Sequence, residues 1–152
     1  MSETEKVRKA LEGKIVKWFE HSPRRIYITI RPEDLKESVR IFHRDIGLRF
    51  SIATGTDTPG DIEITYHFSA DGTGQFFSLR VHLKDKANPE IDSISGIMKA
   101  GEWIEREIWE LLGVNFKGHP GLRRLLLSED WPEGVYPLRR CENKIKMGKS
   151  DG

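Results

Sequence analysis

The chain has 152 residues, enough for one domain that buries a core without cross-links. Its 25 Lys plus Arg against 24 Asp plus Glu leave a net charge of +1, which supplies no long-range field to gather nucleic acid or an anionic membrane. The single cysteine, Cys141, excludes an internal disulfide, a four-cysteine iron–sulfur site and a cysteine-rich zinc site.

Residues 3–20 read as a helix, with Val7, Leu11, Ile15 and Phe19 at every fourth position and Trp18 beside them. Ser22-Pro23 is its expected stop. Ile26, Ile28 and Ile30 alternate with Tyr27, Thr29 and Arg31 as a half-buried strand does. Pro32 opens a second helix, with Glu33 and Asp34 suited to its dipole, an inner stripe of Leu35, Val39, Phe42 and Ile46, and Gly47 as its stop. Leu48, Phe50 and Ile52 alternate again, and residues 54–61 (TGTDTPGD) read as a polar turn.

Ile62, Ile64, Tyr66 and Phe68 share one face of the next strand, and Phe77, Leu79, Val81 and Leu83 share one face of the strand after it. The turn at residues 71–74 (DGTG) joins them as a hairpin. Pairing Phe68 with Phe77 also pairs Tyr66 with Leu79 and Ile64 with Val81, so every apolar side chain meets another. Asn88-Pro89 breaks the pattern. Ile94, Ile97, Ile104, Ile108 and Leu111 then form a helical stripe, with a break at Gly101 and an end at Gly113. The fold class is α+β: a small mixed sheet with helices on one face, spanning residues 1–112.

The remainder differs in kind. Pro120, Pro132 and Pro137 with Gly118, Gly121 and Gly134 oppose a continuous helix or strand. Phe116, Leu122, Leu125, Leu126, Leu127, Trp131, Tyr136 and Leu138 are too apolar for a disordered tail. Residues 113–140 are therefore expected to be an extended segment that docks on its own domain or on a partner, and residues 141–152 a mobile polar tail.

Few motifs suggest chemistry of their own. Gly55/Gly60 and Gly113/Gly118 have the outer spacing of a phosphate loop, but Asp61-Ile62 and His119-Pro120 follow where Lys and a hydroxyl are required. His67 and His82 lie on the polar face of the hairpin with Glu63. The register sets His82 opposite Glu63, four residues from His67, so the imidazoles are roughly 13 Å apart, too far for one zinc ion. Cys141 sits in the polar tail with no legible base and reads as a surface thiol. In residues 102–113 (EWIEREIWELLG), Glu102–Arg106 and Arg106–Glu110 have helix-pairing spacing. Glu105, Arg106 and Glu107 span some 200° of the helix, and Trp103 and Trp109 lie off its apolar stripe. They indicate a second packing surface, which either the domain's own sheet or a partner covers.

These residues carry a resemblance. Glu105-Arg106-Glu107 with Glu110, Leu111, Leu112 and Gly113, followed by Phe116, Gly118-His119-Pro120 and Leu122-Arg123-Arg124-Leu125-Leu126, resemble the signature of the C-type subunit of respiratory complex I and of membrane-bound energy-converting nickel–iron hydrogenases. Glu129-Asp130-Trp131, Gly134 and Pro137-Leu138-Arg139 resemble the stretch that follows it, "DDW…PLRK". Gly121 stands where that family usually has Asp after His-Pro, and the common "KDY" continuation is missing. The wording "EDWPEGVYPLR" is closer to the archaeal hydrogenase or sulfane-reductase branch than to the quinone-reducing one.

The resemblance implies a non-catalytic peripheral-arm subunit of an ion-translocating redox complex on the cytoplasmic side of the membrane. It implies no cofactor in this chain, with iron–sulfur clusters and, in the hydrogenase branch, a nickel–iron centre in partner subunits. The implied partners are a large catalytic-type subunit and a small iron–sulfur subunit, with membrane contact only through the complex and no nucleic acid. Trp109, Phe116, Trp131 and Tyr136 are the expected aromatic anchors at that interface. Glu105, Arg106, Glu107, Arg123 and Arg124 are the expected ion-pair formers, within the domain or across the interface, and His119, Leu138 and Arg139 complete the set. The alternatives are the C-type chain of a quinone-reducing dehydrogenase, a stand-alone binding module, and a lone enzyme built on His119.

Overall fold

Ser2 opens the first helix with a capping box. Its hydroxyl accepts the Glu5 N–H at 3.1 Å, and the Glu5 carboxylate accepts the Ser2 N–H at 3.2 Å. The computed structural model describes residues 1–140, so the tail at 141–152, with Cys141, lies outside the described residues. Helix α1 covers Glu3–Ala10 and buries Val7, with Leu11 fully buried just beyond its end.

The expected helix over residues 3–20 stops there. Gly13 takes φ +83°, and Ile15–Ser22 is strand β1, paired antiparallel with β2 (Arg25–Ile30). The every-fourth spacing belongs to two elements: Val7 and Leu11 fill the core from α1, whereas Phe19 stands out beside Tyr27 on the sheet. A β-branched Ile15-Val16 and an aromatic Trp18-Phe19 suit a pleated surface better than a helix.

Ile26, Ile28 and Ile30 point inward as their alternation requires. Pro32–Asp34 form a 3₁₀ turn, α2 covers Leu35–Arg40, and a wider π turn over Ile41–Ile46 ends at Gly47 with φ +82°. Strand β3 covers Arg49–Asp57, so the turn expected at 54–61 shrinks to its second half. A register irregularity between Phe50 and Ile52 reverses the strand's phase, leaving Ile52 out and turning Ala53 and Asp57 in. Thr54, Gly55 and Thr56 gain ladder partners on β4, and the residual turn is closed by Thr58, whose hydroxyl donates to the Asp61 carboxylate at 2.6 Å.

Strands β4 (Ile62–Ala70) and β5 (Gln75–Leu83) pair in the expected register, with Phe68 opposite Phe77, Tyr66 opposite Leu79 and Ile64 opposite Val81. The sheet runs β1-β2-β5-β4-β3 and is mixed, because β2 and β5 are parallel. Its inner face meets the π turn that extends α2 through an edge-on contact of Phe42 with Phe68, ring centroids 5.2 Å apart.

A three-residue strand β6 (Glu90–Asp92) precedes α3 (Gly101–Leu112), and β7 (Asn115–Lys117) lies parallel to β6. Of the expected stripe, Ile94 and Ile97 belong to a turn before α3. Ile108 and Leu112 cover the inner face of β3, where a Cβ on Gly55 would lie 2.5 Å from Leu112 Cδ1. All three helices therefore occupy one side of the sheet, and the fold is α+β. The core continues past the expected boundary at residue 112, since Val114 and Phe116 belong to it. Among the described residues, no helix is long and apolar enough to cross a membrane.

Candidate functional site: a strap clamped to α3

Over residues 118–139 the chain has no helix or strand, yet it is held throughout residues 118–140. It forms a strap whose backbone is bound by side chains of α3 and by its own arginines. Gly121 N–H donates to His119 Nδ1 at 3.0 Å, so Nδ1 carries the lone pair and Nε2–H is the donor to the Glu102 carbonyl at 2.9 Å. One turn along α3, Arg106 lies over the Trp103 ring and donates to the carbonyls of Arg123 at 3.1 Å and Arg124 at 2.8 Å.

Glu110 grips the strap from the next turn. Its Oε1 accepts N–H groups of Leu125 at 3.0 Å and Leu127 at 2.8 Å, and its Oε2 accepts that of Leu126 at 2.9 Å. Burial works to raise its pKa, but these three donors and the nearby Arg124 guanidinium outweigh it and hold the carboxyl below its ordinary value. Arg124 donates to the carbonyls of Ser128, Glu129 and Trp131, curling the strap on itself, and Trp131 Nε1 donates to the Val135 carbonyl at 2.7 Å. A cleft of about 290 Å³ lies between α3 and this curl, lined by Trp109, Leu127, Trp131, Val135 and Tyr136.

The strap's far end is locked to the domain. Gly113 ends α3 with φ +76°, and the Tyr136 ring fills the space of its absent side chain, 2.5 Å from an ideal Cβ. Arg139 is buried and donates to the carbonyls of Leu112 and Lys86, each at 2.7 Å. Arg140 N–H then meets Asp57 Oδ2 at 2.9 Å, while Lys86 Nζ lies 2.6 Å from Asp57 Oδ1.

Glu105 points the other way, into the domain. It is 1% exposed, and its Oε1 accepts the Ser93 hydroxyl at 2.8 Å and the Ile94 N–H at 3.1 Å. Burial pushes its pKa up to about 7 against these stabilising donors. Its Oε2 and the hydroxyl of fully buried Tyr66 have no hydrogen-bond partner among the described residues.

The candidate residues thus separate. Arg106, Trp109, His119, Arg124, Trp131 and Tyr136 come together around the strap. Glu105, Phe116 and Arg139 lie inside the fold: Glu105, expected to form an ion pair, instead ties down the 93–95 turn, Phe116, expected as an aromatic anchor, fills the core, and Arg139 satisfies two carbonyls. Glu107 and Arg123 are exposed, and Leu138 is 48% exposed. Arg106 and Glu110 bind strap backbone rather than each other, contrary to their pairing spacing. Glu110 is absent from the expected site residues because that spacing accounted for it. Trp103 and Leu126, 60% and 64% exposed, face outward; the sequence sets Trp103 off the apolar stripe and Leu126 in the apolar segment, but neither is among the expected interface residues. His67 shares a hydrogen bond with Ser78 Oγ, 2.8 Å away, and His82 lies 3.1 Å from Asp61, so the two imidazoles have separate partners.

The profile of the respiratory-chain NADH dehydrogenase 30 Kd subunit matches residues 28–144. The C/D subunit of the NADH-quinone oxidoreductase of Bacteroides thetaiotaomicron is 35% identical over 103 residues, 66% of this chain and 19% of that protein. The C subunit of the NADH-quinone oxidoreductase of Salinispora tropica is 33% identical over 117 residues, 73% of this chain and 47% of that protein. The chain thus spans from about a fifth to about half the length of these relatives. Among solved structures, a chain of the membrane-bound sulfane sulfur reductase, an archaeal respiratory membrane complex, superposes with TM-score 0.76 at 22% identity, covering 97% of this chain and 91% of that one. A trypsin-resistant fragment of Nqo5 superposes with TM-score 0.63 at 21% identity, covering 78% and 96%. These two likenesses show a shared fold. The family match runs from β2 through the clamped strap, and the chain belongs to the respiratory-chain NADH dehydrogenase 30 kDa subunit family.

Proposed function

We propose that this chain is a non-catalytic peripheral-arm subunit of a membrane-bound, ion-translocating redox complex, on the cytoplasmic face of the membrane. Its role is to support assembly of a large catalytic-type subunit and a small iron–sulfur subunit, which hold the redox centres. The observation that carries this reading is the use made of the family signature: Arg106 and Glu110 bind the chain's own backbone and shape a strap that presents Leu126 and Leu138 outward, with Trp103 beside it. Aromatic and aliphatic side chains fixed on a rigid support are what an interface needs, because little conformational entropy remains to be lost on docking.

The end-to-end superposition on a sulfane sulfur reductase chain, against partial coverage of the NADH-quinone relatives, supports the ferredoxin-linked hydrogenase or sulfur-reductase branch. The quinone-reducing branch is the second reading, supported by the names of the relatives matched in sequence. Tagging the full chain in its native host and purifying it in mild detergent tests the proposal. The chain is expected in a large membrane-derived particle that contains iron and multi-span proteins, with nickel in the hydrogenase case. A chain that purifies alone and turns over a redox substrate overturns it.

A further inference from the structure

The strap and the helices leave the other side of the sheet uncovered. Strand register lines up Phe19, Tyr27, Ser78, His67 and Ile52 across all five strands of that face, with Phe76 in the adjacent row next to Arg25. Phe19, Ile52 and Phe76 are 49%, 48% and 43% exposed. Phe19 packs against Tyr27 with ring centroids 6.5 Å apart, and Arg80 lies 5.0 Å over the Tyr27 ring. A cleft of about 310 Å³ opens among Arg25, Tyr27, Ile52, His67, Phe76 and Ser78. It has room for one large apolar side chain.

The charges around this row are unbalanced. Arg80 is 2.9 Å from Glu63, Arg49 is 3.1 Å from Asp71, and His82 is 3.1 Å from Asp61, so the acids of the face are already engaged. Lys17 and Arg25, both exposed on the same face, have no acidic partner among the described residues. A second copy of this chain would bring no free carboxylate from this face to them. Two cations are also too few for a nucleic-acid backbone, where affinity scales with the number of phosphates neutralised. What complements the face is a protein segment with carboxylates flanking a large apolar side chain.

We propose that the open sheet face is a second docking surface, occupied by an acidic segment of a partner protein that inserts an apolar side chain into the cleft beside Phe76. The inference rests on the subunit reading for the existence of a partner, and extends it to a face the strap does not reach. Cation pairing at the rim steers and orients such a partner, while the apolar insertion holds it.

The test is photo-crosslinking in the native host, with p-benzoylphenylalanine in place of Phe76 in the full chain and, in a separate strain, in place of Leu126. The Phe76 probe is expected to give one protein adduct whose crosslinked peptide carries Asp or Glu beside an apolar residue. That adduct falls at least tenfold when Lys17→Glu and Arg25→Glu are combined, and survives Arg25→Lys. These changes sit on the exposed face, and an unaltered melting transition confirms that the variants fold. A self-adduct, a lipid adduct, a basic peptide or an adduct indifferent to the charge reversal at Phe76 overturns the proposal, as does no adduct there while Leu126 still crosslinks. Loss of adducts at both positions overturns the subunit reading as well.

Discussion

Arg106 and Glu110, one helical turn apart on α3, bind the same strap through opposite backbone groups. The guanidinium takes the carbonyls of Arg123 and Arg124, and the carboxylate takes the next three N–H groups, of Leu125, Leu126 and Leu127. Charge-assisted bonds of this kind are the stronger ones. Glu110→Ala is expected to cost about 3 kcal/mol of local stability, speeding amide exchange at residues 125–127 about a hundredfold while β4 and β5 stay protected. Glu110→Gln keeps one acceptor oxygen and should fall between. Hydrogen exchange read by mass spectrometry or NMR checks both.

Arg139 closes the strap, and its two carbonyl partners, on Leu112 and Lys86, come from different parts of the domain. Arg139→Ala strips both of their donor and should lower unfolding stability by about 3 kcal/mol. Arg139→Lys should recover less than half of that, because a single ammonium does not reproduce the planar fork. The denaturant midpoint is the measurement.

Gly113 has no side chain because Tyr136 occupies that space, and its left-handed backbone adds a second reason. Gly113→Ala is expected to cost about 3 kcal/mol, with about 1 kcal/mol of it from φ. In a Tyr136→Ala background only the backbone part should remain. A double-mutant cycle reads the difference.

Glu105 makes stability pH-dependent in a definite direction. Its carboxyl titrates at about 7 when folded against 4.5 ordinarily. Between those values the folded chain holds a proton that the unfolded chain has lost, so stability falls as pH rises from 4.5 to 7, by about 3 kcal/mol in all, and is flat above. His67 acts with the opposite sign: burial first, then the Arg80 charge, lowers its pKa, so stability rises with pH through and below its ordinary 6.5. Comparing wild type with Glu105→Gln cancels His67. The difference in unfolding free energy should drop by about 3 kcal/mol across that window; a flat difference counts against a buried, proton-bearing Glu105.

The parts of the fold that could be read in advance are those where side-chain pattern and backbone agree. The β4–β5 register followed from apolar residues meeting apolar residues, and α2 from Pro32, Gly47 and one inner stripe. Strand β1 was hidden because Val7, Leu11, Ile15 and Phe19 keep helical spacing across the Gly13 turn, where two elements happen to be in phase. The strap's apolar composition showed that it must lie on something. Its destination was not legible, because Glu110 and Arg106 recognise main-chain groups, which every residue carries alike. Glu105, Arg106 and Glu107 read as one charged triplet, whereas a 100° step sends the first inward, the second to the strap and the third to solvent.

On the proposed reading, the α3 clamp shapes a surface for assembly and takes no part in electron transfer. Arg106→Ala in the native complex, with particle yield and turnover per particle measured separately, decides between support and chemistry. A supporting residue predicts a sharp fall in yield, with each surviving particle turning over at the wild-type rate. Normal yield with slowed turnover would instead place Arg106 in the chemistry and overturn the supporting role.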